Sequence, residues 1–119
     1  MTKNKNFNFG EIWLADLNPR QVTESGKKRP VLIIQNQTLL DIEHPSTVIL
    51  PLTTSLIDNS YPLRIRITAK NNLRRDSDIM IDQIRAIDNK RITQEYLTTL
   101  DKNTMINVKD ALFKLFGFR

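Results

Sequence analysis

Residues 30–35, Pro-Val-Leu-Ile-Ile-Gln, form a β-branched and continuously apolar run. A run of this kind reads as a strand buried on both faces, which requires apolar cover on either side. Residues 47–53 repeat the pattern, with Pro51 suggesting an edge or a bulge there. Residues 11–17 form a third strand candidate that follows Gly10 and ends at the turn signal Asn18-Pro19. Residues 20–28 are polar and read as a loop, and residues 35–40 hold one helical turn. In residues 63–67 apolar and basic side chains alternate strictly. That spacing turns Leu63, Ile65 and Ile67 inward and Arg64 and Arg66 outward. Residues 79–84 and 85–87 read as a further strand or a bulged pair. At the end of the chain Met105, Val108, Leu112 and Leu115 recur at helical spacing. Asp101 is the expected N-cap and Gly117 the stop, giving a helix of about four turns with one face on a sheet. The expected architecture is mainly β (α+β), a small, mostly antiparallel barrel or curled sheet of about five to seven strands with a C-terminal helix.

A chain of 119 residues predicts one domain, here 1–119, with residues 1–9 as an N-terminal extension. The absence of cysteine excludes a disulfide framework, an iron–sulfur cluster and a thiolate zinc site. The single histidine excludes a multi-histidine metal site and a two-histidine acid/base pair. No phosphate-cradling glycine motif occurs among the 3 glycines. No apolar run approaches the roughly 18 residues of a membrane span, and the start lacks a signal-peptide core, so a cytoplasmic location is expected.

The net charge of +5 is clustered. From Arg20 to Arg29 four basic residues face one acid, and from Arg64 to Arg75 five face none. Such clusters at a pI near 9.7 point to a polyanion, most simply nucleic acid.

Four places carry candidate chemistry. Arg29 precedes Pro30, which restricts its backbone, and a restrained guanidinium can grip a phosphate bidentately. Thr53 and Thr54 end an apolar strand, where hydroxyls can donate to a phosphate; threonine is also common at strand ends. Asp82 and Gln83 follow an apolar trio, so Asp82 is expected on the opposite sheet face from Ile79 and Ile81. Partial burial there would raise its affinity for a proton. Glu24 lies in the basic loop, either fixing Arg29, helping to move a proton or simply balancing Lys27 and Lys28. His44 and Trp13 read as an exposed turn residue and a core residue.

These residues gain meaning in combination. Gly10-Glu11-Ile12-Trp13-Leu14-Ala15-Asp16-Leu17-Asn18-Pro19 is followed by Glu24-Ser25-Gly26-Lys27-Lys28-Arg29-Pro30-Val31. A third block runs Asp76-Ser77-Asp78-Ile79-Met80-Ile81-Asp82-Gln83-Ile84-Arg85-Ala86-Ile87-Asp88-Asn89-Lys90-Arg91-Ile92. In this order the blocks resemble the MazF/PemK (Kid) toxin endoribonucleases over nearly the whole chain. The resemblance implies an SH3-like, PemK-type barrel, a homodimer and neutralisation by an acidic antitoxin protein. It further implies a toxin of a type II toxin–antitoxin system that cuts single-stranded RNA at specific sequences without metal or other cofactor. In the reaction that the resemblance implies, the 2′-hydroxyl attacks, leaving 2′,3′-cyclic phosphate and 5′-hydroxyl ends. The implied catalytic residues are Arg29, Thr53, Glu24 and Asp82. Lys27, Lys28, Thr54, Arg64, Arg66, Gln83 and Arg85 are the implied RNA contacts. Ser25 stands where the family often has glutamine, and Met80 where one relative has an arginine acid, which favours Arg29 and Thr53 over a site centred on Asp82. Two other readings exist. The ending Phe116-Gly117-Phe118 is similar to that of CcdB-like gyrase poisons, and the charge pattern also suits a non-catalytic RNA-binding barrel.

Overall fold

The computed structural model describes residues 6–17 and 28–119. Its strands are β1 (Glu11–Asp16), β2 (Lys28–Ile33), β3 (Ser46–Thr53), β4 (Arg64–Ile67), β5 (Ser77–Met80), β6 (Arg85–Asp88) and β7 (Ile92–Thr99). The helices are a short α1 (Gln37–Asp41) and the long α2 (Lys102–Phe116). All pairings are antiparallel, in the order β4-β5-β3-β2-β1-β7, with β6 also on β3. The path is open at β4 and β7, and the turn after β4 bridges them. Asn72 donates its backbone N–H to the Leu97 carbonyl at 3.2 Å, and Thr98 Oγ1 donates to Asn71 Oδ1 at 2.8 Å. Of the expected barrel or curled sheet, the chain forms the curled sheet, its edges joined by a turn rather than by a strand ladder.

The period of two sorts the core into two clusters on opposite faces. Ile12, Leu32, Leu50, Leu52 and Ile79 lie in one, which α2 covers with Val108 and Ala111. Trp13, Ala15, Val31, Ile33 and Ile49 lie in the other, covered by Phe7 and by Leu40 of α1. Both β2 and β3 thus bury both faces, as continuously apolar strands should. Phe7 belongs to the core and meets Trp13 edge-on at 5.1 Å. Phe9 donates its backbone N–H to Gln37 Oε1 at 2.8 Å. This part of the expected extension is accordingly packed against the sheet.

Two local expectations change. Pro51 is buried in the middle of the sheet rather than at an edge. One side of β3 pairs with β6 through residues 46–49 and with β5 through residues 52–53. Pro51 falls in the gap between those ladders. The expected strand through residue 84 is broken by one turn of 3-10 helix at Ile81–Gln83. The end of the chain follows its pattern: Asp101 accepts from the Thr104 N–H at 2.7 Å, and Gly117 stops α2 at φ 80°.

Candidate functional site

The chemistry-bearing residues meet where β3 ends. In the β2–β3 ladder Val31 faces Pro51, Leu32 faces Leu50 and Ile33 faces Ile49. Continuing that register by two residues sets Arg29 opposite Thr53. On its other side Arg29 faces Ala15, whose methyl leaves the guanidinium room. Arg29 Nη1 donates to the Leu52 carbonyl at 3.1 Å, which brings the guanidinium beside the Thr53 backbone. Arg29 is exposed and Thr53 half-buried. Thr53 Oγ1 accepts from the Ser55 N–H at 3.1 Å, so its hydroxyl is already oriented by the following turn.

The row continues through β5 and β4. Thr53 pairs with Asp78, and Asp78 with Arg66. Arg66, Asp78, Thr53 and Arg29 therefore stand side by side across four strands on one face. Asp78 is buried to 1% exposure. Its Oδ1 accepts from Arg66 Nε, and its Oδ2 accepts from Arg64 Nη1 at 3.3 Å and from the Ile57 N–H at 2.9 Å. Burial works against its charge, but the bonds from Arg66, Ile57 and Arg64 outweigh burial and hold its pKa below the ordinary carboxylate value. Arg66 is raised in turn, first by its bond to Asp78 and then by Asp58, met at 2.9 Å. Arg64 also donates to the Ser55 carbonyl at 2.9 Å. The two arginines expected to project outward do leave the α2 side of the sheet, but internal carboxylates engage them. Sequence reasoning passed over Asp78 because its partners become visible only through register.

The remaining candidates separate from this row. Asp82 is exposed in the 3-10 turn, so the partial burial expected of it is absent. The backbone leaves the sheet after Met80 and carries Asp82 off the strand face. Neither it nor Gln83, also exposed, makes a hydrogen bond or ion pair to Arg29 or Thr53. Arg85 is exposed opposite Ile49, further along β3. Lys28 is exposed beside Arg29, opposite Asp16 in the ladder. Glu24 and Lys27 lie outside the described residues.

Thr54 has left the strand and lines a groove of about 800 Å³ on the opposite side of the sheet. Leu14, Pro30, Arg74, Arg75 and Tyr96 line it too. Among the described residues Arg74 and Arg75 meet no carboxylate within ion-pair distance.

The sequence pattern of the PemK-like, MazF-like toxin of type II toxin-antitoxin systems matches residues 8–116. The chain belongs to this family. Among its MazF relatives, Endoribonuclease MazF of Staphylococcus epidermidis is 39% identical over 104 residues, covering 87% of this chain and 85% of that protein. Two solved MazF structures share the fold at low identity. The MazE-MazF crystal structure (Form-II) from Deinococcus radiodurans has a TM-score of 0.77 at 19% identity, covering 98% of this chain and 100% of that one. Mycobacterium tuberculosis toxin MazF-mt6 has a TM-score of 0.74 at 20% identity, covering 90% of this chain and 96% of that one. The seven-stranded curled sheet with its C-terminal helix is thus the MazF fold. Among the described residues no helix is long and apolar enough to cross a membrane.

Proposed function

We propose that this toxin is an endoribonuclease that cuts single-stranded RNA at the end of β3, with Arg29 and Thr53 as its catalytic residues. The observation that carries the reading is the juxtaposition of an exposed guanidinium and an oriented hydroxyl at one strand end, in a chain 39% identical to a MazF endoribonuclease. RNA contains its own nucleophile. The ribose 2′-hydroxyl attacks the adjacent phosphorus, the bond to the 5′-oxygen breaks, and a 2′,3′-cyclic phosphate and a 5′-hydroxyl result. The proton leaves the 2′-oxygen for a base, and the departing 5′-oxygen takes one up.

The protein's part is to hold the linkage in line and to stabilise charge on the non-bridging oxygens. Arg29 suits the second task, since its fork matches two phosphate oxygens. Thr53 donates its hydroxyl hydrogen to the phosphate while its lone pair accepts from Ser55. Glu24, assigned by the family pattern, is the carboxylate offered for proton transfer, because Asp82 makes no hydrogen bond or ion pair to Arg29 or Thr53. The reaction needs no metal in this scheme. Lys28 and the groove rim at Arg74 and Arg75 guide the strand by phosphate contacts. The chain acts as a homodimer in the cytoplasm and is neutralised by an acidic antitoxin. Neighbouring solved structures include a MazF toxin with MazE and an endoribonuclease with its cognate antitoxin.

The test is incubation of the purified chain with a long single-stranded RNA in EDTA, beside Arg29→Ala, with mapping of the new 5′ ends. The expected result is cleavage at a recurring short sequence that disappears in a folded Arg29→Ala protein. Intact RNA, or equal cleavage by the variant, overturns the reading.

A further inference from the structure

We infer that Asp78 is a positioning residue for the strand-end site, and that Arg64 and Arg66 act through it by locking the 53–57 segment rather than by gripping RNA. The inference rests on the proposed ribonuclease reading and adds residues to it.

Three observations converge. The first is register: Asp78 is the ladder neighbour of Thr53, so their side chains share a face. The second is connectivity. From Asp78, one bond reaches the Ile57 backbone, and through Arg64 a second path reaches the Ser55 carbonyl. Ser55 in turn donates to the Thr53 hydroxyl. The residues that follow Thr53 are thereby fastened to β4 and β5 at two points, and Thr53 cannot rotate freely away from Arg29. Arg66 extends the same fastening to Asp58 at the far end of the loop.

The third is charge. A bare carboxylate beside the place where a phosphate must sit would repel it. Two guanidiniums compensate the carboxylate, and each is held by it in return. Such a group is destabilising if left alone, because burial without partners costs far more than the pair gains. The arginines are therefore obligatory to Asp78 first, and neither is free to follow a nucleic-acid backbone.

This arrangement predicts a pattern of coupling. Removing Arg66 exposes the Asp78 charge to the site, so cleavage falls; removing the charge as well restores part of the loss. A direct RNA contact would behave oppositely, since its loss is indifferent to Asp78. The experiment compares wild type, Asp78→Asn, Arg66→Gln and the double variant. Cleavage of an RNA containing the mapped cut sequence gives kcat and KM. Binding is measured on the same sequence with 2′-deoxyribose at the cleavage step. Amide hydrogen exchange of residues 54–58 reports the loop independently of activity.

Asp78→Asn is expected to lower kcat about tenfold or more, with affinity for the uncleavable strand within twofold. The Ile57 amide should exchange at least tenfold faster in a protein that remains folded. Arg66→Gln should lose more activity alone than together with Asp78→Asn. Unchanged kcat in Asp78→Asn, or a loop that exchanges no faster, overturns the positioning role. An Arg66→Gln binding defect that persists in full in the double variant overturns it in favour of a direct RNA contact. A wild-type chain that cuts no RNA overturns the ribonuclease reading instead, while the exchange data still decide whether Asp78 fastens the loop. If Asp78→Asn fails to fold, Arg64→Lys is the second variant. It keeps the charge and loses the fork, and its activity must fall with faster exchange at residues 54–58 for the role to stand.

Discussion

Two groups of arginines come from one stretch of sequence and behave differently. Arg64 and Arg66 lie on β4, where the pleat turns them toward Asp78, and both form ion pairs. Arg74 and Arg75 lie in the turn before β5, exposed at the rim of a groove, and meet no carboxylate among the described residues. By composition the stretch is uniformly basic. In the fold, the charge of Arg64 and Arg66 is compensated from within, and that of Arg74 and Arg75 remains available to a polyanion. Net charge therefore measures attraction only after the internal pairs are subtracted.

The largest expected effect isolates the site from both groups. Arg29→Ala should reduce RNA cleavage on the order of 100-fold or more, the scale of a lost transition-state donor. Its circular dichroism and thermal midpoint should stay close to wild type, since the side chain is exposed. Thr53→Val should follow, well ahead of Thr54→Ala, because only Thr53 shares the face of Arg29. Equal losses at the two threonines would erase that distinction.

A salt titration separates the arginine groups directly. Replacing Arg74 and Arg75 together should weaken RNA binding and flatten the plot of log affinity against log salt by about 1.4, about 0.7 for each single-strand phosphate contact. Replacing Arg64, with Asp78 neutralised to asparagine, should leave that slope where it was. The same slope change in both experiments would mean that the pairs open to bind RNA, and the comparison would fail.

Acid provides a smaller, third test. The folded-state pKa of Asp78 lies below its ordinary value of 3.8, so its ionised form favours the native state. That stability is fully present above about pH 4 and is lost as pH falls through the folded value. Denaturant midpoints of wild type and Asp78→Asn should therefore converge as pH drops below that range, and differ most near neutrality. No comparable convergence is expected for the Arg74 and Arg75 variant. The smallest effect should come from Asp101→Ala, which frays the start of α2 and lowers the thermal midpoint slightly. It should leave both the salt slope and the cleavage rate unchanged.

The sequence carries the strands whose pattern is local. Residues 30–35 and 47–53 are apolar on both faces, and the structure buries both faces. The α2 boundaries follow from Asp101 and Gly117 because capping is decided within one turn. The long β7 escapes notice: its exposed Gln94 and Glu95 interrupt the apolar pattern, and its register against β1 is irregular. Asp82 reads as a strand residue because nothing nearby signals the 3-10 turn. Its apolar trio continues smoothly, and only the packing of that turn against α2 and β3 breaks the extended path. The family motifs point to Arg29 and Thr53 without saying that they are neighbours. That relation, like the partnership of Asp78 with Arg64 and Arg66, depends on which strands lie side by side. Register is a property of the whole sheet, and no window of sequence contains it.

The location of the single histidine has a consequence for control. His44 is exposed just before β3 begins, and Thr53 is where β3 ends, roughly 25 Å away for an eight-residue strand. Around Thr53, Asp78 is pushed to lower pH and Arg66 to higher. Neither of these two groups changes charge over the range through which cell interiors drift. The Asp78–Arg66 pairing that fastens the loop therefore persists across that range. A physical cover over the strand end would silence the site without altering its chemistry, and its removal would restore full activity.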